Sequence, residues 1–197
     1  IISELLNSNL TAVNLRNNLE AIQKQANPRD VFILFYAGHG IAIQEGEQNN
    51  FYFVLHGVTV MNDVDKLNSQ AFSTSELRNL VGKISANKQM LLIEACNSGA
   101  FLENFAVRGA AEENALAQLQ RSAGIALFSA STDIQFANEV KELGHGLFTW
   151  ALMQGIKGSA LTKDGKITAS SLKAYIDDEV PRLAQKYRGS EQFPLAK

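Results

Sequence analysis

The chain has 197 residues, 46% of them hydrophobic and 19% charged, which is enough to bury one substantial core. A formal net charge of −2 leaves no electrostatic footprint for nucleic acid or an anionic membrane, and no apolar stretch is long enough to span a bilayer. A single cysteine excludes an internal disulfide framework and fits a reducing, cytoplasmic setting; the three scattered histidines lack zinc-site spacing, so no metal is expected. The first residues are Ile1-Ile2-Ser3, with no methionine and no secretory leader, so the chain is expected to be an excerpt or processed piece of something longer.

Thr11 is placed to cap a first helix whose apolar face is Leu15, Leu19, Ile22 and Ala26, ending before Pro28. The apolar run Val31-Phe32-Ile33-Leu34-Phe35-Tyr36 reads as a strand and stops at Ala37-Gly38-His39-Gly40. Ile41–Gln44 and Phe51–Leu55 flank a polar stretch and predict an antiparallel hairpin; residues 62–72 are expected to form a loop. Ser73-Thr74-Ser75-Glu76 is a capping box, and Leu77, Leu80, Val81 and Ile84 supply the buried stripe of a second helix.

The strand Gln89–Glu94 then leads into Ala95-Cys96-Asn97-Ser98-Gly99, so the cysteine stands where a strand gives way to a turn. Residues 101–122 are polar and read as an exposed, mobile connection. A third apolar strand, Ile125–Ser129, follows, and Gly146 precedes a helix through Leu147–Met153. Lys163-Asp164-Gly165-Lys166 makes a turn, Thr168 caps a last helix, and Pro181 is expected to break or kink it. Helices alternating with near-continuous apolar strands predict an α/β sandwich with a mostly parallel sheet, in which ligands collect beyond the carboxyl ends of the strands.

Both His39 and Cys96 fall at such ends, the layout of a cysteine–histidine hydrolase. A thiolate attacks a carbonyl, an imidazole takes and returns the proton, and the resulting oxyanion needs N–H donors. The amides of Gly40 and Cys96 are the candidate donors. Taken singly, Cys96 reads as a small buried hydrophobe and His39 as a turn histidine. Their joint arrival at strand ends, each close to glycine, favours the chemistry. His145 precedes a helix and reads as a helix-entry or pocket-wall residue, and His56 as structural.

The stretches Phe35-Tyr36-Ala37-Gly38-His39-Gly40 and Glu94-Ala95-Cys96-Asn97-Ser98-Gly99 resemble the caspase-like cysteine peptidases, especially their bacterial and metacaspase-type branch. The histidine-first order and spacing agree with that family. Ser129-Ala130-Ser131, Gly144–Thr149, Asp164–Thr168 and Gln192-Phe193-Pro194 extend the likeness over nearly the whole chain. The resemblance implies a three-layer α/β/α sandwich around a mainly parallel six-stranded sheet. It also implies Cys96 as nucleophile and His39 as general acid/base, acting on protein or peptide substrates without a cofactor. The family's first strand would lie before residue 1.

Glu94 stands where the metacaspase branch has Asp in its specificity pocket, which implies cleavage after Arg or Lys; the other reading of Glu94 is a carboxylate that only caps a turn or pairs with a nearby base. Asn97 replaces the Arg usual in Asp-specific caspases. Asp133, Asn138 and Glu139 fall where metacaspase-type loops meet substrate, and Asp133 and Glu139 read equally as solvated loop charges. Residues 101–122 match the intersubunit-type linker cut on maturation, with Arg108 and Arg121 as candidate self-cleavage points. Asp164-Gly165-Lys166 is too short for an EF-hand loop, so no structural metal is expected; the metacaspase-type resemblance leaves calcium activation open. Two other readings remain: a caspase-fold scaffold, and a peptidase awaiting accessory domains or an activating partner in a larger bacterial signalling or defence complex.

Overall fold

The computed structural model describes residues 1–45, 48–60, 63–95, 125–130, 139–189 and 191–196. Three of the apolar runs become parallel neighbours: β1 (Val31–Ala37), β5 (Lys88–Glu94) and β6 (Ile125–Ser129). A short antiparallel strand, β9 (Leu195–Ala196), closes the order β1-β5-β6-β9, so the main sheet has four strands among the described residues. Helix α1 is Ala12–Gln25 and α3 is Thr74–Val81. Side chains alternate across the sheet because successive strand residues point to opposite faces. Leu91 and Ile93 pack with Leu19 of α1 and with Leu77, Leu80 and Val81 of α3.

On the other face Leu92 joins Phe128 and the helices α4 (Leu147–Gln154) and α5 (Ala169–Arg188), through Phe148, Leu172, Ile176 and Val180. Two cores on opposite faces of one sheet make the expected α/β/α sandwich. The predicted hairpin forms as β2 (His39–Glu45) against β3 (Gln48–Val54), extended by β4 (Phe72–Ser73) into a second, antiparallel sheet. A third pair, β7 (Glu139–Val140) with β8 (His145–Gly146), lies just before α4.

Helix starts follow their caps. Thr11 accepts from the Asn14 amide, Ser73 from Glu76, and Thr168 forms a reciprocal capping box with Ser171. The Glu76 carboxylate accepts from the Arg16 guanidinium instead of completing the box at Ser73.

Two expectations are corrected. The segment expected as a loop holds a short helix, α2 (Val64–Gln70), capped by the Asp63 side chain and pinned by fully buried Leu67 against Tyr52 and Ala71. One buried position in seven residues leaves no helical periodicity to detect. At Pro181 the break does not occur: α5 runs through it to Arg188. Burial of Ile176, Val180, Leu183 and Ala184 on both sides of the proline holds the helix against the sheet. At roughly 1.5–3 kcal/mol per large buried side chain, that outweighs one missing backbone hydrogen bond.

Candidate active site

The site is built where β1 and β5 end together. Their register pairs Tyr36 with Ile93 and Ala37 with Glu94, and the next amide, Gly38 N–H, donates to the Glu94 carbonyl at 3.0 Å. The chain then turns, and His39 opens β2 opposite Val54, with its side chain exposed. Parallel pairing thus delivers His39 beside the end of β5, two residues before Cys96. Gly40 follows, buried and opposite Phe53.

The turn at His39 is braced from the end of β1. The buried Tyr36 phenol donates to the His39 carbonyl at 2.7 Å, and its ring meets Phe53 edge-on, with centroids 4.9 Å apart. Gly38 is required here, since a Cβ at that position would lie 2.7 Å from the Tyr36 hydroxyl. Burial pushes the Tyr36 phenol above its ordinary value, so it stays a protonated donor at neutral pH.

Glu94 lies on the α4 face of the sheet and is 7% exposed. Its Oε1 accepts from the Phe148 amide at 3.1 Å and the Thr149 amide at 3.4 Å, and its Oε2 from the Thr149 hydroxyl. These contacts satisfy amides in the first turn of α4, at the positive end of its dipole. On the far side of β5, Ala130 N–H donates to the Ile93 carbonyl, and fully buried Gln192 donates to the Ala130 carbonyl at 2.8 Å.

Cys96 lies outside the described residues, as do Asp133 and Asn138, the linker 101–122 with Arg108 and Arg121, and the side chain of Glu139. The backbone of Glu139 pairs with Gly146. His145, exposed in β8, pairs with Val140, and exposed His56 donates its amide to the Leu10 carbonyl. A cavity of about 460 Å³ runs along β1 beside α1, lined by Leu6, Leu15, Phe32 and Phe35 among others. Neither His39 nor Glu94 lines it, so volume alone does not mark the site. Among the described residues, no helix is long and apolar enough to cross a membrane.

Sequence reasoning assigned no role to Tyr36, Gly146, Thr149 or Gln192. Tyr36 and Gly38 were within reach as a bulky and a minimal residue flanking one turn. The partners of Glu94 and Ala130 come from distant elements and leave no local signal.

A mainly parallel sheet covered by helices on both faces, with the His39 turn beside the end of β5, defines the class as an α/β/α sandwich. The comparisons narrow it: the chain belongs to the caspase-domain family Peptidase_C14, which matches residues 4–195. That membership makes it a cysteine peptidase in general kind. Among solved structures, a Geobacter sulfurreducens protein determined by a structural-genomics effort shares the fold. Its TM-score is 0.61 at 16% identity, covering 99% of this chain and 76% of that one. No curated protein sequence matches the chain.

Proposed function

We propose that the chain is a cysteine endopeptidase of the metacaspase-like kind that hydrolyses peptide bonds after Arg or Lys through Cys96 and His39. The observation that carries this reading is the β1–β5 register, because Ala37 pairs with Glu94 and so brings His39 level with the approach to Cys96. In the first step the Cys96 thiolate attacks the carbonyl carbon, and the amides of Gly40 and Cys96 receive the oxyanion. Collapse breaks the C–N bond, and His39 protonates the departing amine, leaving an acyl-thioenzyme. His39 then takes a proton from water, whose oxygen attacks the acyl carbon and frees the thiol. Thiolate and imidazole suffice for this sequence, so no cofactor is invoked.

Support for a basic residue before the cleaved bond is the Glu94 carboxylate, hydrogen-bonded to the first turn of α4 two positions before the nucleophile. Asp133, Asn138 and Glu139 are proposed to complete the substrate contacts, and Arg108 and Arg121 to be self-cleavage points in a cytoplasmic enzyme. The test is hydrolysis of matched fluorogenic peptides ending in Arg, Lys or Asp, with and without calcium, by the native chain and Cys96→Ala. Cleavage after Arg or Lys, lost in Cys96→Ala, is the expected result. Cleavage after Asp would refute the specificity, and cleavage that survives Cys96→Ala would refute the nucleophile.

A further inference from the structure

Helix α4 begins without a cap of its own. Its N-cap residue is Gly146, in extended conformation and without a side chain, so the amides of Phe148 and Thr149 at the second and third helical positions need an outside acceptor. Glu94 supplies it from 54 positions upstream of Phe148: one carboxylate oxygen takes both amides and the other takes the Thr149 hydroxyl. The fit depends on glycine, because a Cβ at Gly146 would lie 2.1 Å from Glu94 Oε1 and 2.4 Å from its carboxyl carbon. Both partners are rigidly held. Leu147, Phe148 and Ala151 of α4 are fully buried, and β5 is clamped between β1 and β6 up to Ile93.

The β6 ladder reaches only Ile93, and the β1 ladder ends at Glu94 and the Gly38 amide. The contact with α4 is therefore a further attachment at the point where sheet pairing stops and the chain sets out for Cys96. We propose that Gly146 and Thr149 are positioning residues: together with Glu94 they clasp the end of β5 to α4 and so fix the direction from which the nucleophile is presented. The proposal rests on the reading of Cys96 as nucleophile. It does not rest on cleavage after basic residues, since the clasp uses the carboxylate's hydrogen bonds whatever the neighbouring pocket accepts.

The experiment compares Thr149→Val, which deletes the hydroxyl and keeps the shape, with Thr149→Ser, which keeps the hydroxyl. Two rates are read: alkylation of Cys96 by iodoacetamide, which needs no specificity pocket, and peptide turnover with kcat and KM separated. Misplacing a reacting group by about 1 Å can cost ~100-fold, so Thr149→Val is expected to lower both the alkylation rate and kcat by about 10- to 100-fold. KM and the preference among Arg, Lys and Asp peptides stay put, and Thr149→Ser restores both rates. A residue serving only stability would lower the melting temperature and leave these rates alone. Should Thr149→Val fail to fold, Thr149→Ala removes the same hydroxyl with no added bulk.

Equal alkylation of the native and hydroxyl-deleted chains, including none in either, overturns the clasp. So does a changed residue preference at unchanged kcat, which would assign Thr149 to the pocket. If the native chain cleaves no peptide while Thr149→Val still slows alkylation and Thr149→Ser restores it, the clasp stands and the peptidase reading falls.

Discussion

Removing one oxygen atom tests how the histidine turn is held. Tyr36→Phe deletes the phenol that donates to the His39 carbonyl at 2.7 Å, while the ring keeps its edge-on contact with Phe53 and opens no cavity. A lost neutral hydrogen bond is worth about 1 kcal/mol. In a chain of this size that corresponds to a fall in Tm of about 2–4 °C. If all of it were needed to hold His39 in the transition state, kcat would fall about five-fold, which sets the upper bound.

A second signature lies in alkaline pH. Burial raises the Tyr36 phenol above its ordinary value of 10.0, so above pH 10 the unfolded chain has lost a proton that the folded chain still holds. The folded state then binds more protons than the unfolded, and stability must fall as pH rises from that point, by up to ~1.4 kcal/mol per pH unit from this group. Below pH 10 the group contributes no slope. Tyr36→Phe removes that share of the decline, so urea midpoints of the two chains should converge between pH 10 and 11. The assay is urea unfolding of the native chain and the variant across pH 7–11, with peptide turnover at pH 7.5. Parallel alkaline limbs would refute the buried, protonated donor, and a kcat reduced far more than five-fold would show that the ring, not the hydroxyl, had moved.

Leu67→Ala tests the short helix α2. Leu67 is fully buried against Tyr52, so a loss of about 2–5 kcal/mol is expected in urea unfolding, against under ~0.5 kcal/mol for a residue on a solvated loop. Pro181→Ala should raise the melting temperature, because α5 is continuous through this position and alanine restores a backbone donor there. An unchanged or lower melting temperature would mean that the proline bends α5 to fit the sheet.

The strands and caps were legible because their causes are local. Val31–Tyr36, Gln89–Glu94 and Ile125–Ser129 are apolar runs that become β1, β5 and β6 within a residue at each end, and Thr11, Ser73 and Thr168 cap the helices they precede. Helix α2 escaped notice because a single leucine carries its burial, and the continuity of α5 through Pro181 rests on packing on both sides of it that the chain alone does not display.

For the site, the sequence by itself determined that His39 follows one strand and that Glu94 ends another, two positions before Cys96 in the chain. Periodicity and turn chemistry act over a few residues, and these assignments need no more than that. Only the tertiary structure decided which groups meet the Glu94 carboxylate. Folding set it under the first turn of α4, where Gly146 leaves room and the Phe148 and Thr149 amides need an acceptor. That choice depends on how β5 and α4 pack, and no local pattern in either segment encodes the distance between them.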